Sequence, residues 1–360
     1  MTITTLRITD FRNLSAVEIS QFQQQISIFS GDNGSGKTSL LEAIYYLGLG
    51  RSFRSSSSGR LIRHESDKFS IFAQILNESS RSVPLGVERN AKGDTKLRVA
   101  EQDVSSVAEI ASYLPIRMIN SQSHQLFESG PVHRRKYLDW GLFYHSDSFL
   151  PVWRNFERIL KQRNAALKEK RPRNEIEIWT NELIKYGLEL DSLRREYIQE
   201  VTPLISEILT ALLPNSGDFQ LTYSPGWDES QDYATILQNA YFEEMRFGHT
   251  LYGPHRADFD IQFDGISVKH ILSRGQQKLL ICAMILAQGK LLMARTNKHL
   301  IYLVDDLPSE LDLGSRTKLV SLLAQQNTQI FITAIDYNDI CQVLDVPMQV
   351  FHVEQGRISS

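Results

Sequence analysis

The chain opens on alternating apolar and polar positions: Ile3, Leu6 and Ile8, then Val17 and Ile19, before Ile26, Ile28 and Phe29 lead into a glycine-rich turn. A period of two turns one face of a strand toward a core. From Leu40 to Leu47 the apolar spacing becomes helical, so the unit reads strand, glycine loop, helix. Phe69 to Leu76, Val83 to Glu88 and Leu97 to Val99 predict short strands, the last two joined by the turn Asn90-Ala91-Lys92-Gly93-Asp94, which makes an antiparallel patch. After Pro131, and up to about Phe247, Leu, Glu, Lys and Arg recur at helical spacing and predict a helical insert. Within it Trp153, Phe156, Leu160 and Leu167 share one helix face, while Arg154, Arg158, Lys161 and Lys168 fall on another. Arg171-Pro172-Arg173-Asn174 breaks that helix, a second is expected from Asn181 to about Val201, and Thr202-Pro203 reads as the N-cap and first position of a third that ends near Leu213-Pro214-Asn215. Strands return with Asp258 to Phe263, a tight Asp264-Gly265 turn and Ser267 to Lys269, a hairpin pattern. A helical run from Gln276 to Met293 precedes two continuous apolar runs, Leu300 to Val304 and Ile330 to Ile335, which suit buried parallel strands. The expected architecture is therefore α/β: a discontinuous head over 1–124 and 246–360, with a mixed sheet and an antiparallel patch, and a helical arm over 125–245.

Charge and composition narrow the function only slightly. A net charge of -3 over 360 residues gives no overall pull toward nucleic acid or membrane, so a DNA-binding surface must be local. The longest apolar run, Leu279 to Ala287, is broken by Gln288, Gly289 and Lys290, short of the roughly 20 residues that span a bilayer. Arg7, Asp10 and Arg12 stand where a signal peptide would need its apolar core, and only Cys282 and Cys341 occur, without a CxxC pair. A reducing cytoplasm is the expected compartment.

The chemistry begins at Gly31-Asp32-Asn33-Gly34-Ser35-Gly36-Lys37-Thr38, which fits GxxxxGK[ST] between a predicted strand and a predicted helix. Glycines let backbone N–H groups curl around phosphate oxygens, and the following helix, beginning with Ser39, aims its positive end at them. Lys37 is expected on the β- and γ-phosphates of ATP, and the Thr38 hydroxyl on Mg²⁺. Ile301-Tyr302-Leu303-Val304-Asp305-Asp306 supplies a second half, a buried strand that delivers carboxylates at its C-terminal end. Asp305 is expected to hold the metal through water, and Asp306 to orient or deprotonate the attacking water. A solvated pair of loop aspartates is the plainer alternative.

Leu272-Ser273-Arg274-Gly275-Gln276-Gln277-Lys278 resembles the LSGGQ signature of ABC ATPases, with Arg274 in place of the first glycine. That resemblance implies that Ser273, Arg274, Gly275 and Gln276 meet the γ-phosphate held by a second subunit, so that two ATPs are sandwiched in a dimer. As an isolated string it is also an ordinary polar helix cap.

Further stretches are similar to the RecF family: Arg51-Ser52-Phe53-Arg54, Arg134-Arg135-Lys136-Tyr137-Leu138-Asp139-Trp140-Gly141, Gly253-Pro254-His255-Arg256-Ala257-Asp258, and Asp305-Asp306-Leu307-Pro308-Ser309-Glu310-Leu311-Asp312 as Walker B and D-loop. The likeness runs over essentially the whole chain. It implies a cytoplasmic bacterial ATPase that dimerises on ATP at single-strand gaps and junctions of duplex with single strand. Such a protein acts with RecR and RecO to help load RecA where single-strand-binding protein blocks it, during replication repair and the SOS response. Two departures from wider ABC practice stand out. Asp306 occupies the catalytic glutamate position, which predicts slow hydrolysis, and Gln329-Ile330-Phe331-Ile332-Thr333-Ala334-Ile335-Asp336 lacks a switch histidine, leaving Thr333 or Asp336 to replace it. Gln122 is the candidate metal-sensing glutamine, with Gln125 close by.

Competing classes are weaker. A GTPase needs an NKxD base reader, and Asn297-Lys298-His299-Leu300 lacks the aspartate. A transporter subunit would not carry the insert, and chromosome-structuring relatives have far longer arms, often with a cysteine hook. For DNA, Arg154, Arg158, Lys161 and Lys168 are the expected phosphate contacts, against a merely solvated helix face. His133, Arg134 and Arg135 either touch DNA or anchor the insert.

Overall fold

The computed structural model describes the chain except Ser56, Asn215, residues 308–310 and 343–345, and Ser360. Its contacts separate two compact units, one of residues 1–123 with 278–360 and the other of residues 124–277.

The first unit holds two sheets. β1 (Thr2–Phe11), β2 (Leu14–Ile19), β4 (Lys68–Leu76), β5 (Ser82–Asn90), β6 (Thr95–Val99) and β7 (Gln102–Val104) form an antiparallel sheet in the order β2-β1-β4-β5-β6-β7. The second sheet runs β15-β14-β3-β13-β12-β8, from β3 (Ile26–Ser30), β8 (Ile116–Ile119), β12 (Ile301–Val304), β13 (Ile330–Ala334), β14 (Met348–Glu354) and β15 (Arg357–Ser359). All its pairings are parallel except β15 on β14. β3, β12 and β13 are buried along their whole length, which is why they read as continuous apolar runs rather than alternating ones. One hydrophobic cluster joins both sheets to the helix Lys37–Leu49: Ile3, Leu6 and Ile71 from one, Phe29, Leu303 and Phe331 from the other, and Leu40, Ile44 and Leu47 between. The parallel strands thus end together at the glycine loop, where the chemistry was expected.

The helix Arg274–Thr296 is long and apolar enough to cross a bilayer by length and composition. Yet 72% of its apolar window is buried inside the protein, as suits a core helix. The break read at Gln288 does not interrupt it, because Gln288 is itself buried and accepts a hydrogen bond from Arg117.

The second unit departs from the expected helices in three places. Where two helices were expected to meet at Thr202-Pro203, one helix runs unbroken over Arg173–Leu212. Proline removes one N–H from a helix, here the one that would reach Gln199 O, but Val201, Ile205, Ile208 and Leu212 bury one continuous face. Packing of that face outweighs the local cost. The strand β9 (Phe219–Ser224) was not foreseen; only alternate side chains are half-buried, and its register is set by β10 (Asp258–Phe263) along its full length. The hairpin after β10 closes sooner than expected, with β11 only Ile266–Ser267 before a helical turn at Val268–Ile271. The β9–β10 ladder ties residues 258–263 to the strand that follows the long helix, and the contacts divide the chain at 123/124 and 277/278, where 124/125 and 245/246 were expected.

Candidate functional site

The glycine loop joins β3 to the helix Lys37–Leu49. Gly31, Gly34 and Gly36 have φ of +149°, +82° and +122°, values that side-chain-bearing residues rarely adopt, and a Cβ on Gly31 would stand 2.2 Å from Val353 O. Lys37 is 8% exposed, and its Nζ donates to Gly31 O at 2.6 Å and Asp32 O at 2.8 Å, which closes the loop around the ammonium. Burial pulls the Lys37 pKa below its usual value, opposed by the nearby charges of Asp306, Asp305 and Asp32.

Opposite the loop, β12 is followed directly by Asp305, whose N–H donates to Ile119 O at 2.9 Å. Its Oδ1 accepts from Thr38 Oγ1 at 3.0 Å and from Thr333 Oγ1 at 2.7 Å. Burial pushes the Asp305 carboxyl above the ordinary carboxylate range, the two hydroxyl donors working against that. Asp306 sits in the left-handed region at φ +51°, and its N–H donates to Thr333 Oγ1 at 2.9 Å. Thr333 therefore bridges both aspartates from the neighbouring strand, while Asp336 is used locally to cap Asn338.

These groups converge on one cleft of about 520 Å³, within the range of small-molecule sites. Asn33, Gly34, Gly36, Lys37, Thr38, Ser39, Asp305, Asp306 and Thr333 line it, as do five residues the sequence did not single out for the site: Arg12, Asn13, Arg54, Arg60 and Ile62. Asn13 Nδ2 donates to Gly34 O at 3.2 Å and so fastens the β1–β2 turn to the loop. A hydroxyl and a carboxylate oxygen 3.0 Å apart, Thr38 and Asp305, are the hard donors that Mg²⁺ takes from protein when phosphate and water complete its shell, so the residues present fit that ion. Among the described residues no cluster of three or more His, Cys, Asp or Glu is placed to hold a metal alone. Gln122 lies on the turn Ser121–His124 after β8, exposed, and is not among the cleft residues.

Ser273 begins the helix Arg274–Thr296 with a reciprocal cap: Gln276 N donates to Ser273 Oγ at 3.3 Å, and Ser273 N to Gln276 Oε1 at 2.9 Å. Ser273, Arg274, Gly275 and Gln276 are all exposed and belong to the second unit, not to the cleft lining. Pro308, Ser309 and Glu310 of the D-loop string lie outside the described residues.

Two other strings meet inside the second unit. Arg134 is 4% exposed and forks onto Asp258, with Nη2 to Oδ2 at 2.9 Å, while Arg135 Nη1 donates to Ala257 O at 2.8 Å. Arg194 joins them from the long helix through Asp139 at 2.8 Å and Pro254 O at 2.7 Å. Arg134 and Arg135 thus anchor Pro131–His145 to the 254–258 segment. By contrast Arg154, Arg158, Lys161 and Lys168 are exposed on the helix Phe149–Lys168, opposite its buried Phe156, Leu160 and Leu167.

The family model described as RecF/RecN/SMC N terminal domain matches residues 2–359. The chain is 41% identical over 360 residues to the DNA replication and repair protein RecF of Shewanella loihica, covering all of this chain and 99% of that protein. It is 39% identical over 360 residues to RecF of Shewanella frigidimarina, with the same coverage. Among solved structures, the recombination mediator protein RecF with ATP, of the RecFOR pathway, superposes with a TM-score of 0.87 at 23% identity, over 99% of this chain and 96% of that one. An Smc head bound to the C-terminal winged-helix domain of ScpA gives 0.63 at 15% identity, over 100% and 96%.

Proposed function

Because this chain belongs to the RecF family, we propose that it is an ATP-dependent DNA-binding protein of recombinational repair that closes as a dimer on gapped DNA. The observation that carries this reading is the convergence of Lys37, Thr38, Asp305 and Thr333 on one cleft, while Ser273 caps an exposed helix start. In this reading the first unit is the ATPase head, and the helices of the second unit are the arm. Lys37 and the loop N–H groups take the β- and γ-phosphates, and Thr38 and Asp305 hold Mg²⁺. Mg²⁺ neutralises charge on the phosphates when bound. Asp306 orients the attacking water; its side chain is one methylene shorter than glutamate, and turnover is accordingly slow.

Ser273 and Gly275 of a second copy close over the phosphates, so nucleotide joins two incomplete sites. Arg154, Arg158, Lys161 and Lys168 read DNA phosphates near the junction of duplex and single strand. The partners are RecR, RecO and, through them, RecA, in a bacterial cytoplasm during replication repair and the SOS response. Sedimentation velocity with and without ATP and gapped DNA tests the clamp. Wild type dimerises on ATP, Lys37→Met loses nucleotide, and Ser273→Arg binds ATP yet stays monomeric. A dimer that forms equally without ATP overturns the proposal.

A further inference from the structure

Three arginines, Arg12, Arg54 and Arg60, line the nucleotide cleft from three separate places in the chain. A single carboxylate meets two of them, Arg12 and Arg54. Glu42 lies on the helix that follows the glycine loop and is fully buried, the one acidic residue in the run Leu40-Leu41-Glu42-Ala43-Ile44-Tyr45-Tyr46-Leu47. A carboxylate so placed is costly unless every acceptor is used. Arg12 forks onto it, Nε to Oε2 at 3.0 Å and Nη2 to Oε1 at 2.7 Å, and Arg54 Nη1 stands 3.6 Å from Oε2.

Ser52 Oγ donates to Oε1 and in turn accepts from Arg54 N and Ser55 N, each at 2.9 Å, so the loop that carries Arg54 is folded around the same carboxylate. Arg12 Nη1 donates to Arg60 O at 2.9 Å, and Arg12 N to Leu61 O at 2.7 Å, which ties in the third arginine's segment. Arg12 achieves this from a left-handed backbone at φ +56°, an unfavourable conformation held by those bonds. Three of its five guanidinium N–H donors are spent on the protein. The Arg54 side chain is 45% exposed, and its charge reaches Asp305 across the cleft.

We propose that Glu42 is a positioning residue that presents Arg12 and Arg54 to the phosphate chain of the nucleotide. The inference rests on the nucleotide reading given above and adds to it a residue that never touches ligand. Without Glu42, the Arg12 and Arg54 charges repel one another, and the segments that carry them lose a common anchor. With it, these two guanidinium groups are gathered before a polyanion arrives, so less ordering remains for the binding step.

The test is titration calorimetry of the full chain with ATP, ADP and AMP. In Glu42→Gln an amide NH₂ must face donors already aimed at an acceptor, so the arginines are released while size is kept. ATP affinity should fall at least tenfold, ADP affinity less and AMP affinity least, because the loss follows the number of phosphates. An equal loss for all three nucleotides, or unchanged ATP affinity in folded Glu42→Gln, overturns the proposal. Should Glu42→Gln fail to fold, Ser52→Ala, which leaves the Arg12 fork intact, is read instead. A threefold or larger loss of ATP affinity with unchanged circular dichroism supports the role, and unchanged affinity overturns it. Lys37→Met separates the two layers of the argument: if wild type binds ATP no better than this variant, the nucleotide reading itself has failed.

Discussion

Thr333 offers a direct measure of how the two aspartates are held. Its side chain is 1% exposed, and its hydroxyl donates to Asp305 Oδ1 at 2.7 Å and accepts from Asp306 N at 2.9 Å. Thr333→Val keeps the shape and removes both bonds. A hydrogen bond to a charged acceptor contributes about 1.5–3 kcal/mol and a neutral one about 0.5–1.5, so the expected loss of stability is roughly 2–4 kcal/mol. Thr333→Ser keeps both bonds and deletes one buried methyl, which costs about 1 kcal/mol. Urea unfolding of nucleotide-free protein, followed by far-ultraviolet circular dichroism, should rank wild type above serine and serine above valine. ATP turnover should follow a sharper split, with serine near wild type and valine at least tenfold slower, because Asp306 is held in its left-handed conformation by the lost bond. A serine variant as unstable as valine would show that methyl packing, and not the hydroxyl bridge, is what Thr333 supplies.

Gly31→Ala places a Cβ 2.2 Å from Val353 O at φ +149°, so ATP binding should be lost in calorimetry even where β14 shifts enough to keep the protein folded. His255 is pushed down to about 4 by burial, with the Arg256, Arg135 and Arg163 charges adding to the effect. A histidine kept neutral in the fold contributes stability that is present above its unfolded pKa near 6.5 and lost as pH falls toward 4. At about 1.4 kcal/mol per unit that is on the order of 3 kcal/mol, and His255→Gln should flatten this part of the pH–stability curve; an unchanged acid limb refutes it. Reversing charge at Arg154 and Arg158 should weaken DNA binding and reduce its salt dependence in fluorescence anisotropy, whereas unchanged affinity at low salt removes both from the DNA site.

What could be read from the sequence was what is local. Lys37 and Thr38 are legible because the loop, the strand before it and the helix after it are contiguous, and Asp305 because a fully buried strand delivers it. Glu42 carries a faint signal, one charge inside an apolar helical run, yet nothing in the string says that Arg12 and Ser52 meet it. That meeting depends on how the β1–β2 turn and the 51–63 segment come together around the helix, with Arg12 and Glu42 30 residues apart in the chain. Pro203 misleads for the complementary reason. Its local preference for a helix start is real, but the buried face from Tyr197 to Leu212 decides the outcome. β9 is hidden because only alternate positions are half-buried and its partner lies some forty residues on. Arg134 and Arg135 look like a basic patch in sequence and are spent on Asp258 and Ala257 O in the fold.

The geometry at Ser273 bears on how a closed dimer would discriminate between nucleotides. Its hydroxyl already accepts from Gln276 N, but at 3.3 Å, a long bond for that pair, and the whole cap is exposed to solvent. The helix start is therefore satisfied on its own and does not need a ligand to fold. To engage a phosphate, it must exchange a weak neutral bond for a charge-assisted one, at little cost and with a gain only where an anionic oxygen is within reach. In the proposed dimer, a γ-phosphate held by Lys37 and Thr38 of another copy would supply that oxygen, and a diphosphate would leave the cap as it is. On that proposal the cleft would set how tightly nucleotide is held, through Lys37 and the arginines gathered on Glu42, while the cap would set which nucleotide closes the pair. Separating the two tasks would let ATP stay bound to a monomer without committing it to DNA, so that closure would depend on a second copy and on the nucleotide's third phosphate together.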